Sequence, residues 1–286
     1  MKTLYNLQEI FTNREIALIL WIFIAVVAII FSTIRNSFFR LIKTLTYKTF
    51  LLIYFLIGIY LTGIILIFKK IAIWNCYYLK DILFWLFSAG LVYVFKIDGA
   101  KNNSYFKNII FSAISGRIIV EFILNFYTFS LLAEIIILPL FVYVVAIQAF
   151  AEVYQKNKTV TSLLQKIITI SIVFVFCYSL YKTIINYKDV FTVKVLIELL
   201  LPSTIAILCI PFLYCLALYI TYESYFITLN CMTSKKDKVK KVKKLILRTA
   251  NINLGKLNRI SKNFEKRVFY DDTNLKSYIQ TISREM

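Results

Sequence analysis

The sequence predicts an all-α, polytopic helical membrane protein with about seven transmembrane helices and a basic, cytoplasmic, helical C-terminal tail. Three observations carry that prediction. First, 60% of the 286 residues are hydrophobic and 17% aromatic, with mean hydropathy +0.74, more apolar surface than a soluble domain of this size buries. Second, the apolar residues come in long runs rather than in alternating segments of about ten residues, which selects helices over an outer-membrane barrel. Third, the net charge of +19 is uneven. The last 52 residues hold 15 Lys and Arg against 5 Asp and Glu, which separates a transmembrane domain over residues 1–230 from a basic amphipathic tail over 231–286.

The elements follow in order. Residues 16–34 contain no charge and suffice to cross a core of about 30 Å at about 1.5 Å per residue. No small-residue cleavage pattern follows them, so a retained helix is expected. Arg35, Arg40, Lys43 and Lys48 then occur without an acid, which marks 35–49 as cytoplasmic and orients the first helix with its N-terminus outside. A second span is expected over 50–68, with Gly58 and Gly63 as close-packing points. Trp74, Tyr77 and Tyr78 give 71–79 the composition of an interfacial belt. The run 82–95 is short for a span; it crosses if residues 78–80 join it, or is re-entrant if they do not. A turn signature occupies 96–107, with Asp98-Gly99 and Asn102-Asn103.

Residues 109–128 and 131–150 predict an αα-hairpin of the fourth and fifth spans, parted at the polar stretch 125–130. A sixth span is expected over 163–180 and a seventh over 195–222, kinked or broken by Pro202 and Pro211. Seven spans place 24 Lys and Arg on the cytoplasmic side and 8 outside, the distribution the positive-inside rule requires.

The hairpin carries the residues with chemical interest. A charge near the bilayer centre costs about 2.5–3.5 kcal/mol, so it faces protein or water. Arg117, Glu121 and Asn125 recur every four residues on one stripe, and Arg117 with Glu121 forms an i,i+4 opposite-charge pair. Glu134, Gln148 and Glu152 share a face of the next helix unless Pro139 turns Glu134 away. One reading makes Arg117 and Glu121 a structural pair and Glu134 a favourable charge at a helix N-terminus. The other makes the two stripes the lining of an ion pathway, with Glu134 as its foremost residue because no cation lies within one turn of it. Glu198 is open in the same way, with Lys194 one turn before it and Pro202 one turn after.

The tail opens with Lys235, Lys236, Lys240, Lys241, Lys243 and Lys244. Arg248, Lys256 and Arg259 continue the basic series, and Leu257, Ile260, Phe264 and Val268 recur at helical spacing. Such a segment binds the anionic membrane surface or a phosphate-bearing ligand such as an oligonucleotide. Both remain open from the residues alone. The absence of histidine removes the commonest metal ligand and general base and excludes a Ser-His-Asp arrangement. The five cysteines form no C-x-x-C pair, and no glycine-rich nucleotide cradle occurs. No cofactor and no metal are expected.

A small multi-helix membrane part bearing Arg117, Glu121 and Glu134, joined to the basic run 235–244, resembles the membrane effectors of bacterial anti-phage defence modules. In size and layout it is similar to the Hailong-type effectors. The resemblance spans the whole chain and transfers no individual residue. It implies a homo-oligomeric channel in the bacterial inner membrane, held closed by DNA oligomers from a partner nucleotidyltransferase and opened on infection. It also implies that the basic tail receives the inhibitory DNA oligomer. The competing classes are a small secondary transporter, disfavoured by the lack of repeats and of glycine at helix breaks, and a lipid-modifying enzyme working with carboxylates.

Overall fold

The computed structural model describes residues 11–72, 74–97, 103–115, 128–155, 158–186, 192–233, 236–265 and 275–284. Every regular element among them is helical: α1 (Asn13–Ile30), α2 (Arg35–Leu45), α3 (Lys48–Lys70), α4 (Tyr78–Phe95), α5 (Asn103–Ile114), α6 (Leu131–Phe150), α7 (Lys158–Ile185), α8 (Val193–Leu208), α9 (Ile210–Met232), α10 (Lys236–Ala250), α11 (Leu254–Asn263) and α12 (Leu275–Arg284). Six stretches are long and apolar enough to cross a membrane: α1, α3, α4, Leu131–Val153, Thr159–Ile185 and Val195–Met232. This is the composition of a polytopic helical membrane protein. The expected fourth span, 109–128, lies largely outside the described residues, so six is a count of the described residues alone. The chain divides into two compact units, Met1–Tyr77 with Gly116–Leu200, and Tyr78–Ser115 with Leu201–Met286.

In the first unit α1 begins at a capping box. The Thr12 hydroxyl accepts the Glu15 N–H at 3.3 Å, and the Glu15 carboxylate accepts the Thr12 N–H at 2.8 Å, so two orphan donors are satisfied reciprocally. The helix therefore starts three residues earlier than hydropathy suggests and takes Arg14 into its first turn. Residues 35–45, expected only as a cytoplasmic connection, form α2. It has Arg40 and Lys43 on one side, Phe38, Leu41, Ile42 and Leu45 on the other, and no fully buried residue, the pattern of a helix lying in a membrane interface. Helix α3 buries a single stripe, Ile53, Ile57, Leu61 and Ile64, and ends on Lys69 and Lys70, where cations complement the helix dipole.

Helix α6 packs between α1 and α7. It starts at Ser130, contains Pro139, and runs on into a π-turn at Ala151–Gln155. Proline has no N–H to give the carbonyl one turn before it, which leaves Ile135 without its intrahelical donor. The indole N–H of Trp21 on α1 donates to that carbonyl at 2.9 Å.

In the second unit α4 joins residues 78–95 into one helix through a π-turn at Leu86–Gly90, settling the helical continuity of the short run 82–95. A Cβ on Gly90 would stand 3.2 Å from the Trp85 ring and from Leu86, so the small residue leaves room for the indole. Tyr105 on α5 donates to the Tyr93 carbonyl at 2.9 Å. Burial first, then the neighbouring Tyr93, raises its phenol pKa above 10.0, which keeps the donor protonated.

Helix α9 is the centre of this unit. Leu213, Leu216, Ala217, Leu218, Tyr225 and Leu229 are buried along it, and it packs against α5, α10 and α11. The expectation of a single span over 195–222 is modified accordingly. The apolar stretch continues to Met232, roughly 57 Å at about 1.5 Å per residue, and its second half carries the basic helices alongside it.

Candidate functional site

Two constellations stand out, one in each unit. The first is built on the α6 N-terminus. Glu134 is only 2% exposed and accepts three hydrogen bonds. Arg14 holds it in a fork, Nη2 to Oε1 at 3.1 Å and Nε to Oε2 at 3.3 Å, and the Phe129 N–H donates to Oε1 at 3.1 Å. Paired donors of this kind match the planar carboxylate and are the stronger class of hydrogen bond. Asn13 adds a bond from Nδ2 to the Phe129 carbonyl at 3.0 Å. Together with the Trp21 bond, about two turns further along α1, these fasten α1 to the first turn of α6.

The ground for treating Glu134 as the foremost pathway residue was the lack of a cation within a turn. That holds along α6, but α1 supplies Arg14 from 120 residues away. An apolar cavity of about 360 Å³ opens beside the pair, lined by Leu138, Phe141, Val144, Ile168, Ser171 and Val175 among others. Gln148 and Glu152 bond to each other at 3.0 Å, 14 and 18 residues further on. Glu198 is half-buried on α8. Arg117, Glu121 and Asn125 lie outside the described residues.

The second constellation is the basic surface of α10 and α11. Along α10, Val239, Val242, Ile246 and Ala250 are buried; Leu254, Leu257 and Ile260 on α11, Phe264, and Ile279 and Ile282 on α12 complete the same core. The apolar stripe expected at 257, 260 and 264 is therefore real and faces inward, while Val268 is outside the described residues. The helix it marks stops at Asn263. With that stripe occupied, Lys236, Lys240, Lys241, Lys244, Arg248, Lys256 and Arg259 are left exposed. Lys243 differs. Its ammonium donates to Asn230 Oδ1 at 2.9 Å and lies 5.2 Å from the Phe226 ring centroid, so it ties α10 to α9. Lys235 lies outside the described residues.

Two tyrosines fix the turn between α10 and α11 to α9. Tyr222 donates to the Asn251 carbonyl at 2.7 Å and Tyr214 to the Ile252 carbonyl at 2.8 Å, and the Tyr214 oxygen also accepts the Leu254 N–H at 3.3 Å. Asn251 takes φ 46°, the left-handed conformation that ends helices and that asparagine tolerates. Asn253 then caps α11 through the Lys256 N–H at 2.9 Å. These anchors were not foreseen. The Asn251/Asn253 pair was the available signal for the turn, whereas nothing in the sequence points from Tyr214 to Ile252.

Fold and composition thus define a helical protein with six potential membrane spans among the described residues and an exposed cationic surface. No protein-family model matches the chain, and no curated protein and no solved structure match it. Among the described residues no group of His, Cys, Asp and Glu is arranged to hold a metal ion.

Proposed function

We propose that the protein is an oligomeric membrane ion channel or pore whose conduction is controlled through the basic surface of α10 and α11 by an anionic ligand, with nucleic acid as the leading class. One observation carries the reading: exposed cations are mounted on a packed helical unit whose central helix, α9, continues directly from the apolar helix α8. A charge bound at α10 therefore acts on a lever that ends beside Pro202 and Pro211, where a helix is readily bent.

The anti-phage role, the DNA oligomer and the nucleotidyltransferase partner belong to this proposal through the resemblance alone. The test is voltage-clamp recording from the purified chain in planar bilayers, with single-stranded oligonucleotide added to one side. Unitary currents that the oligonucleotide suppresses are expected. Absence of current from the folded protein refutes the channel. The apolar cavity beside Arg14 and Glu134 favours a second reading, a small transporter of an amphiphile. It predicts solute flux without unitary currents.

A further inference from the structure

The exposed residues of the basic unit are not uniformly cationic. Leu247 is 48% exposed and Ile252 is 66% exposed, in the same stretch of chain as the exposed Lys244, Arg248 and Lys256 that flank the α10–α11 turn. Leu247 and Ile252 lie off the buried stripe of Val239, Val242, Ile246 and Ala250 and leave two aliphatic side chains exposed among cations. No exposed aromatic accompanies them on these two helices. Phe264 is buried, and Tyr214, Tyr222 and Tyr278 spend their hydroxyls on backbone partners. The described residues of α10, α11 and the turn between them thus offer no stacking platform for nucleic-acid bases, whereas aliphatic side chains amid cations are what an anionic bilayer surface accepts.

The direction of the chain brings this end to the membrane. Helix α10 doubles back along α9, since Lys243 meets Asn230, Asn251 meets Tyr222 and Ile252 meets Tyr214 in turn. Tyr214 is six residues past the end of α8 at Leu208, roughly 9 Å of helical rise at about 1.5 Å per residue. If α8 ends at the hydrocarbon boundary, Tyr214 stands at the outer edge of the headgroup layer, which is about 5–8 Å thick on each side, and the turn it holds is within a side chain's length of the lipid phosphates. Lys236, Lys240 and Lys241 lie in the N-terminal half of α10, Lys241 about one turn before Lys244.

We infer that the α10–α11 turn is a membrane-docking tip: Leu247 and Ile252 enter the anionic leaflet and Lys244, Arg248 and Lys256 pair with lipid phosphates, leaving Lys236, Lys240 and Lys241 for the soluble anion. The inference rests on the proposed function only in placing this unit at the inner leaflet. It requires no current.

The test uses the full chain in nanodiscs. Cys76, Cys177, Cys215 and Cys231 are exposed and are replaced by serine, buried Cys209 is retained, and Ile252→Cys carries an environment-sensitive fluorophore. The readout is quenching by doxyl-labelled lipid. Quenching in phosphatidylglycerol-containing discs that falls in pure phosphatidylcholine and at high salt is expected. Combined Lys244→Gln, Arg248→Gln and Lys256→Gln should abolish the lipid dependence, because three cations near an anionic surface together shift the docked population by roughly 100-fold. The same change at Lys236, Lys240 and Lys241 should leave it intact. Quenching indifferent to phosphatidylglycerol, equal loss from the two triple variants, or displacement of the probe from lipid by a single-stranded oligonucleotide overturns the inference. Should a triple variant not fold, the salt and lipid titration of the labelled chain with all its cations decides alone. Currents lost with docking retained refute the channel and leave the tip.

Discussion

Removing Arg14 separates a structural lock from a pathway charge at Glu134. Arg14→Gln leaves a carboxylate only 2% exposed with the Phe129 N–H as its one remaining donor among the three that now reach it. Breaking a buried pair from one side costs about 3–5 kcal/mol. The lower end is expected here, because the Arg14 side chain is itself 19% exposed.

Glu134→Gln should cost less, about 1–2 kcal/mol, since the amide oxygen still accepts from Phe129 and the guanidinium can turn to solvent. With both residues replaced, neither uncompensated charge remains and the loss should stay near 1–2 kcal/mol. The coupling energy is then about 2–3 kcal/mol. It is measured by unfolding the four proteins in mixed detergent micelles and following tryptophan emission, to which Trp21 on α1 contributes. A coupling below about 0.5 kcal/mol would refute the lock. The same glutamine variant decides the second issue: a lock changes stability and leaves unitary conductance alone, whereas a pathway residue changes conductance or selectivity.

Other expectations concern single contacts. Trp21→Phe removes the donor that serves the Ile135 carbonyl opposite Pro139 and should destabilise by about 1–3 kcal/mol in the same unfolding assay. Tyr225→Phe should be neutral or stabilising by up to about 1 kcal/mol, because the Tyr225 hydroxyl is buried without a hydrogen-bond partner among the described residues; a clear loss of thermal stability would mean the hydroxyl is served. Lys236→Gln, Lys240→Gln and Lys241→Gln together should lower the salt slope of single-stranded oligonucleotide binding by about 2, at about 0.7 per phosphate contact, while Lys243→Gln should act on stability instead. Combined Tyr214→Phe and Tyr222→Phe should leave basal current and weaken its response to the anionic ligand, as bilayer recordings would reveal.

The helical class was legible because hydropathy reports local burial, whether by lipid or by protein. That generality is also where the reading stopped. Helix α9 is apolar on all sides and passes for a membrane span, yet Tyr214 and Tyr222 hold polar, basic helices against it. No property of residues 210–232 alone distinguishes the two environments. The stripe at Leu257, Ile260 and Phe264 was readable from its period, and its inward direction fits. Helix α12 was missed because Leu275, Ile279 and Ile282 sit in only ten residues, three turns without a long apolar run. At the candidate site, the burial of Glu134 was foreseeable from its apolar surroundings. Its partner was not, because an ion pair across 120 residues leaves no trace in periodicity or spacing. Arg14 also precedes the uncharged run 16–34 and joins α1 only through the Thr12 and Glu15 capping box.

The fastening of α1 to α6 has a consequence for biogenesis. The chain is made from its N-terminus, and α1 leaves the ribosome 120 residues before Glu134 does. At about 5–20 residues per second, the first helix waits roughly 6–24 s for that partner. Throughout that interval Arg14 and Trp21 are without the Glu134 carboxylate and the Ile135 carbonyl on α6 that later meet them, and a guanidinium cannot settle in hydrocarbon alone. The nascent α1 must therefore keep its first turn in the aqueous headgroup layer, or in the shelter of an insertase, and seat fully only when α6 arrives. Assembly of the first unit is accordingly timed by translation, and slowing elongation between the two helices would lengthen the period in which the unfinished chain is open to membrane proteases.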